Sequence, residues 1–439
     1  MTALAGSSTL AWLARLCRDR VFWANAVDTL AILLALSLPW STSLTGIFAF
    51  AMLLAMGPFL DVEVFLQSLR RPIAFVPVAF FLLALIGTLW SDAPWGVRLY
   101  AVFPTAKLLV LPVLFYHFER SERGLWVLIS FLISCALLMV MSWIVAFVPA
   151  LTLKQQVISR GIFVKNYIDQ SQEFTLCAVA LAYPVIMLLR KERIRLALLL
   201  GALALGFVVT MAYVIVSRTA LVTMPVMVAV FGLLHLRLRT NLLIFGAMAL
   251  IVAIAWVASP QFEETISSFG IQYQRYKANG ADTSIGERLQ YWEKSLQFFA
   301  DAPLIGHGTG STRGLFERAA SGTADMASSS VVRDPHNQTL NVAVQWGAAG
   351  IAVLYAMWLL HLLLFRGEGL VNWIGLLVVV QNFFTSLFNS HIFDFHEGWM
   401  YVLGVGVAGG MVLKGRNAGP KSDGGLAGHG VRDGLSATR

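Results

Sequence analysis

The stretch Asp334-Pro335-His336-Asn337 ends a long polar segment and precedes the apolar run Val342 to Phe365. Its reading decides the fold. Asp is a preferred N-cap and Pro a preferred first helical residue, so a helix is expected to begin at Asp334, with His336 and Asn337 in its first turn. The run that follows is long enough to cross a bilayer. A lone imidazole is thus placed at a membrane surface, beside helix amides that favour anions. Such a place suits chemistry on a lipid-borne anion.

The rest of the chain repeats the pattern. Of its 439 residues, 58% are hydrophobic and 13% charged, about half the charged share of a soluble domain. Apolar runs broken by Arg clusters indicate an all-α polytopic membrane protein. About twelve spans are expected, near 22–39, 43–60, 73–90, 105–118, 125–148, 172–189, 196–216, 219–235, 241–258, 338–365, 370–390 and 398–413. The formal charge of +8 comes from basic residues in short connections and marks no nucleic-acid partner. Cys17, Cys135 and Cys177 form no metal or redox motif. The first apolar run is soon followed by another, so it reads as a retained span rather than a cleaved signal.

Charge sets the orientation. Arg70-Arg71, the Arg190–Arg195 cluster, Arg237, Arg239, Arg366, Lys414 and Arg416 fall in every second connection. That side, with both termini, is assigned to the cytoplasm. The chain then divides into spans one to nine (1–258), an outer helical loop domain (259–337), spans ten to twelve (338–413) and a Gly- and Ser-rich cytoplasmic tail (414–439) expected to be disordered. Residues 320–330 have the composition of a mobile lid.

Within the outer loop, Ile285, Leu289, Trp292, Leu296 and Phe299 recur at helical spacing. Ser284 and Glu287 suggest a capping box that opens an amphipathic helix over about 285–299. Arg288 flanks its apolar stripe, where a snorkelling side chain is the plain alternative to a ligand-binding one. The Gly-rich Pro303–Gly310 stretch neither follows a strand nor carries a phosphate-loop Lys, so it reads as a structural turn. Arg218, in Ser217-Arg218, ends a connection on the outer side, against the positive-inside bias. Arg160 lies in an outer loop, with Lys165 and Tyr167 close behind. Asp394 and His396 offer either a carboxylate–histidine pair or, for Asp394, a helix cap. No metal-ligand spacing occurs, and no metal or cofactor is expected.

His336-Asn337, nine residues and then Gly347-Ala348-Ala349-Gly350 resemble the signature of bacterial O-antigen ligases. Ser217-Arg218, Gly286-Glu287-Arg288 and Pro303–Gly308 are similar to motifs of the wider ligase and polymerase superfamily. The resemblance, from about the sixth span onward, implies a C-type glycosyltransferase of the bacterial inner membrane with a periplasmic active site. It implies metal-independent, inverting transfer of a polysaccharide from undecaprenyl pyrophosphate to a sugar of the lipid A core. His336 becomes the expected base, since an imidazole titrates near neutral pH. Arg160, Arg218 and Arg288 become the expected pyrophosphate clamp, guanidinium being suited to bidentate phosphate contacts. His336, Arg288 and Arg218 are thus the catalytic candidates, and Arg160, Asn337, Tyr167 and Lys165 the substrate-binding ones. An O-antigen polymerase, a protein O-oligosaccharyltransferase and a lipid-linked glycan transporter are the rival readings.

Overall fold

A computed structural model describes residues 19–153, 161–215, 217–235, 238–279, 283–321 and 331–417. Among them the chain is helical, without strands. The expected spans overlap helices, and those at 105–118 and 172–189 are each interrupted within the range. Six of these helices are long and apolar enough to cross a membrane. A seventh candidate joins Val62–Leu69 to Pro72–Ile86 across an 85° bend. Thr42–Met56, Thr219–Leu234 and Leu370–Thr385 are shorter apolar helices. Many of the long helices are apolar all round, as helices do when one side meets neighbours and the other meets lipid. The chain is a multi-pass membrane protein.

The Gln338–Leu364 helix organises the fold. It packs on Pro72–Ile86, Ser284–Asp301 and Leu370–Thr385. Phe395–Asn417 presents small residues to its neighbours, and a Cβ on Gly406, Gly409 or Gly410 would collide with Leu114, Phe115 or Phe118. Small residues permit this approach where lipid offers no hydrophobic gain for association. That helix runs to Asn417, so the first residues assigned to the tail are helical, while 418–439 lie outside the described residues. The proposed lid at 320–330 falls mostly on 322–330, also outside them.

Within 259–337 the described residues include the helices Pro260–Asn279, Ser284–Asp301 and Thr312–Ser321. The expected Ser284–Glu287 capping box gives way to a simple cap one residue earlier. Thr283, not Ser284, is the N-cap, and its hydroxyl accepts from the Gly286 amide at 3.1 Å.

The reading of Asp334–Phe365 as one continuous helix from Asp334 is corrected at both ends of its first segment. The N-cap is Asn337, whose Oδ1 accepts from the Leu340 amide at 3.0 Å. His336 therefore precedes the helix, with φ +54°. At Gly347 the helix breaks, with φ 60° and ψ −152°. A break frees backbone groups that an apolar setting cannot satisfy. Here the Pro303–Gly308 turn satisfies them. Ala348 and Ala349 donate to the Pro303 and Leu304 carbonyls, while His307 and Gly308 donate to those of Val344 and Gln345. The two backbones touch, so a Cβ on Gly347 would stand 2.5 Å from the Leu304 carbonyl carbon, and one on Gly306 2.5 Å from that of Gln345. Glycine is required on both sides.

Candidate active site

The half-helix Gln338–Trp346 holds the turn before it in place. Gln338 donates its amide to the Ser386 carbonyl, and its Oε1 accepts from the Ile392 amide at 2.9 Å. Asn337 donates through Nδ2 to the Leu387 carbonyl at 3.1 Å. The 331–337 turn and the 386–394 turn are thereby locked together.

Asp334 is the hub. Its Oδ1 accepts from the His336 amide at 2.9 Å, Ser390 Oγ at 2.7 Å and Asn341 Nδ2 at 3.3 Å. Asn341 Oδ1 accepts from Gln345 Nε2 at 2.7 Å, and Gln345 Oε1 accepts from the Gly310 amide at 2.8 Å. This network holds His336 in a left-handed backbone that non-glycine residues adopt at a cost of about 1–3 kcal/mol.

The imidazole is oriented from behind. His336 Nδ1 lies 2.9 Å from Asn389 Oδ1, and Asn389 Nδ2 lies 3.3 Å from His391 Nε2. An amide nitrogen only donates and an amide oxygen only accepts. The network therefore assigns the Nδ1–H tautomer to His336, leaving its Nε2 lone pair for another partner. His391 is fully buried, and its imidazole is pushed down to about 3 by burial and by the nearby Arg288 guanidinium. It stays neutral and accepts from Asn389. Asp394, in the same turn, is raised to about 7 by loss of hydration and by the carboxylates of Asp334 and Asp169, while Lys107 pulls the other way.

The Ser284–Asp301 helix closes one side. Trp292 Nε1 donates to the Pro335 carbonyl at 3.1 Å, and the Tyr291 ring lies 6.4 Å from that of His336. Arg288 lies on that helix, and its guanidinium adds to the lowering of the His391 imidazole.

The remaining candidates separate. Arg218 is the first residue of Arg218–His235, and its side chain lies outside what is described, as does all of Arg160. Asn337 is spent as a cap and a tether. Lys165 is buried, its ammonium 2.8 Å from Glu173 Oε1 and also bonded to the Leu38 carbonyl. An internal ion pair occupies it, so the expected place in a substrate-binding set is not where it points. Tyr167 begins the Tyr167–Ala180 helix, half-exposed. His396 Nε2 sits 3.5 Å from Asp169 Oδ2. Asp394 directly precedes Phe395–Asn417, and its carbonyl accepts from the Gly398 amide.

The residues missed by sequence reading are Asn389, Ser390 and His391, with Asn341 and Gln345. Asn389-Ser390-His391 is a polar trio between two apolar helices, the same kind of signal that singled out Asp394 and His396 one turn later.

Fold and site define a class: a multi-pass helical membrane protein with a histidine-centred polar site where two broken connections meet. Residues 203–355 match the family model described as O-antigen ligase, which supports membership of that family. The matched segment contains Arg218, Arg288, the Pro303–Gly308 turn, His336 and Gly347. No curated protein matches the chain. The family match points to polysaccharide transfer of the ligase or polymerase type.

Proposed function

We propose that this protein is an O-antigen ligase of the bacterial inner membrane, with its termini in the cytoplasm and its active site facing the periplasm. It moves O-antigen polysaccharide from undecaprenyl pyrophosphate to a sugar hydroxyl of the lipid A core, with inversion and without a metal. One observation carries this reading: His336 is held outside a helix with Nδ1 tied to Asn389, so that Nε2 remains as a base.

The acceptor hydroxyl attacks the anomeric carbon from the face opposite the pyrophosphate. The new C–O bond forms as the bond from the anomeric carbon to the phosphate oxygen breaks. The hydroxyl proton passes to His336 Nε2, a transfer worth about 10²–10⁴ in rate. The pyrophosphate leaves with the bonding electrons, and Arg288, with Arg218 and Arg160, balances its charge.

The test is reconstitution. Purified protein, undecaprenyl-pyrophosphate glycan and lipid A core are incubated with chelator, and glycan-bearing core is the expected product. Elongation of a lipid-linked acceptor instead would make it a polymerase, glycan on a protein Ser or Thr an O-oligosaccharyltransferase, and translocation without a new glycosidic bond a transporter.

A further inference from the structure

A cleft of about 580 Å³ opens beside the His336 turn, between the Trp95–Ala106 helix and the Gly310–Arg313 segment. Asp334, which fixes the His336 amide, lines it together with Asn341 and Gln345. A second cleft of about 560 Å³ adjoins it and shares Val97, Gly310 and Arg313. The first turn of the Thr312–Ser321 helix forms the wall between them.

That turn is built to receive an anion. The first amides of a helix have no intrahelical acceptor, and the first helical bond here runs from the Leu315 amide to the Ser311 carbonyl. Gly310, with φ +82°, precedes this turn and lines both clefts. Independently, Ser311 Oγ and Thr312 Oγ1 have no hydrogen-bond partner among the described residues, although the two side chains are only 4% and 3% exposed. Buried hydroxyls left unpaired are uncommon and costly. Each of these two residues lines one of the clefts. Arg313, Arg318 and Arg333 stand around them. The acidic residues on the same walls are Asp92, Glu317, Asp334 and Asp394. Glu317 is held by Arg313 at 2.7 Å, and Asp334 Oδ1 is taken by its three internal donors.

We propose that the first turn of the Thr312–Ser321 helix, with Ser311, Thr312 and Arg333, binds a phosphate group on the membrane-anchored acceptor and so orients its hydroxyl toward His336. This rests on the ligase reading for the identity of the acceptor. Two placements favour the acceptor over the donor. Arg218 begins a helix packed on Tyr167–Ala180 and Leu370–Thr385, whereas the clefts lie by Trp95–Ala106, which packs on Pro72–Ile86. The helix that Arg218 begins and the Trp95–Ala106 helix beside the clefts thus pack on different neighbours. The cleft wall also turns Tyr100 and Phe103 outward, 72% and 79% exposed, an apolar surface along which a lipid-anchored sugar can approach.

The experiment uses the full chain in nanodiscs. Thr312→Val and Arg333→Gln are each expected to raise KM for phosphorylated lipid A core about tenfold, the value of one charge-assisted hydrogen bond, with donor KM unchanged. With phosphatase-treated core, wild type and variants should have the same, higher KM. A variant effect that persists on phosphate-free core, or a rise in donor KM, overturns the proposal. Binding is measured separately on His336→Ala protein by native mass spectrometry. The phosphorylated core should be retained over the dephosphorylated one, and an excess of phosphatidylglycerol should not displace it. Displacement by that lipid would assign the site to bulk headgroups and overturn the acceptor assignment. Selective retention by a wild-type protein that transfers nothing would sink the ligase reading while leaving the anion site standing.

Discussion

Two left-handed residues bracket the half-helix Gln338–Trp346: His336 at φ +54° and Gly347 at φ +60°. They are held in opposite ways. At Gly347 the freed backbone groups are closed by main-chain bonds to the Pro303–Gly308 turn, and no side chain fits. At His336 the backbone amide is held by the Asp334 side chain, and the ring it carries is held by Asn389. Strain at the glycine serves the fold. Strain at the histidine aims an imidazole, and the cost is met by a polar network that a merely structural turn does not need.

The comparison is most easily broken by exchanging the roles. Gly347→Ala should destabilise the protein by about 3 kcal/mol or more, since a Cβ meets backbone on a disallowed φ. The loss of folded, detergent-stable protein on size exclusion measures it. His336→Gly should do the reverse. It relieves the left-handed strain, so stability should change by no more than about 1 kcal/mol, while transfer falls by about 10²–10⁴. A large loss of stability with His336→Gly would mean that the ring serves packing. Asn389→Leu should be milder, lowering kcat about tenfold with little change in KM, as one hydrogen bond of about 1.5 kcal/mol is lost. An unchanged kcat would show that the amide does not set the tautomer.

Titration sharpens the same contrast. Folding lowers the His391 imidazole to about 3, so below about pH 6.5 the unfolded chain takes up a proton that the folded one refuses. His391 therefore removes stability as pH falls from about 6.5 toward 3. Asp394, raised to about 7, works the other way, adding stability on acidification between about pH 7 and 4. The melting temperature of His391→Gln should fall less on acidification than that of wild type, and that of Asp394→Asn should fall more. Equal pH slopes in all three proteins would contradict both assignments.

The positions of the helices were legible because apolar length and basic flanks report them directly. The amphipathic Ser284–Asp301 helix was legible too, through the 3.6-residue stripe. The helix start was misplaced by three residues because Asp-Pro satisfies the rules for a cap and first turn. Asp334 does accept an amide bond, but as an Asx turn onto His336 rather than a helix cap. The Gly347 break was hidden because its partner, the Pro303–Gly308 turn, lies far away in sequence and pairs through main chain, which leaves no side-chain pattern beyond the glycines. Asn389 and His391 escaped notice because orienting residues carry no motif of their own and act only through the fold.

Transfer of glycan from undecaprenyl pyrophosphate to lipid A core should be measured in proteoliposomes holding equal amounts of folded wild-type and His336→Ala protein. Loss of transfer with unchanged insertion and melting temperature is the predicted result. Normal transfer by a well-folded His336→Ala protein would contradict it.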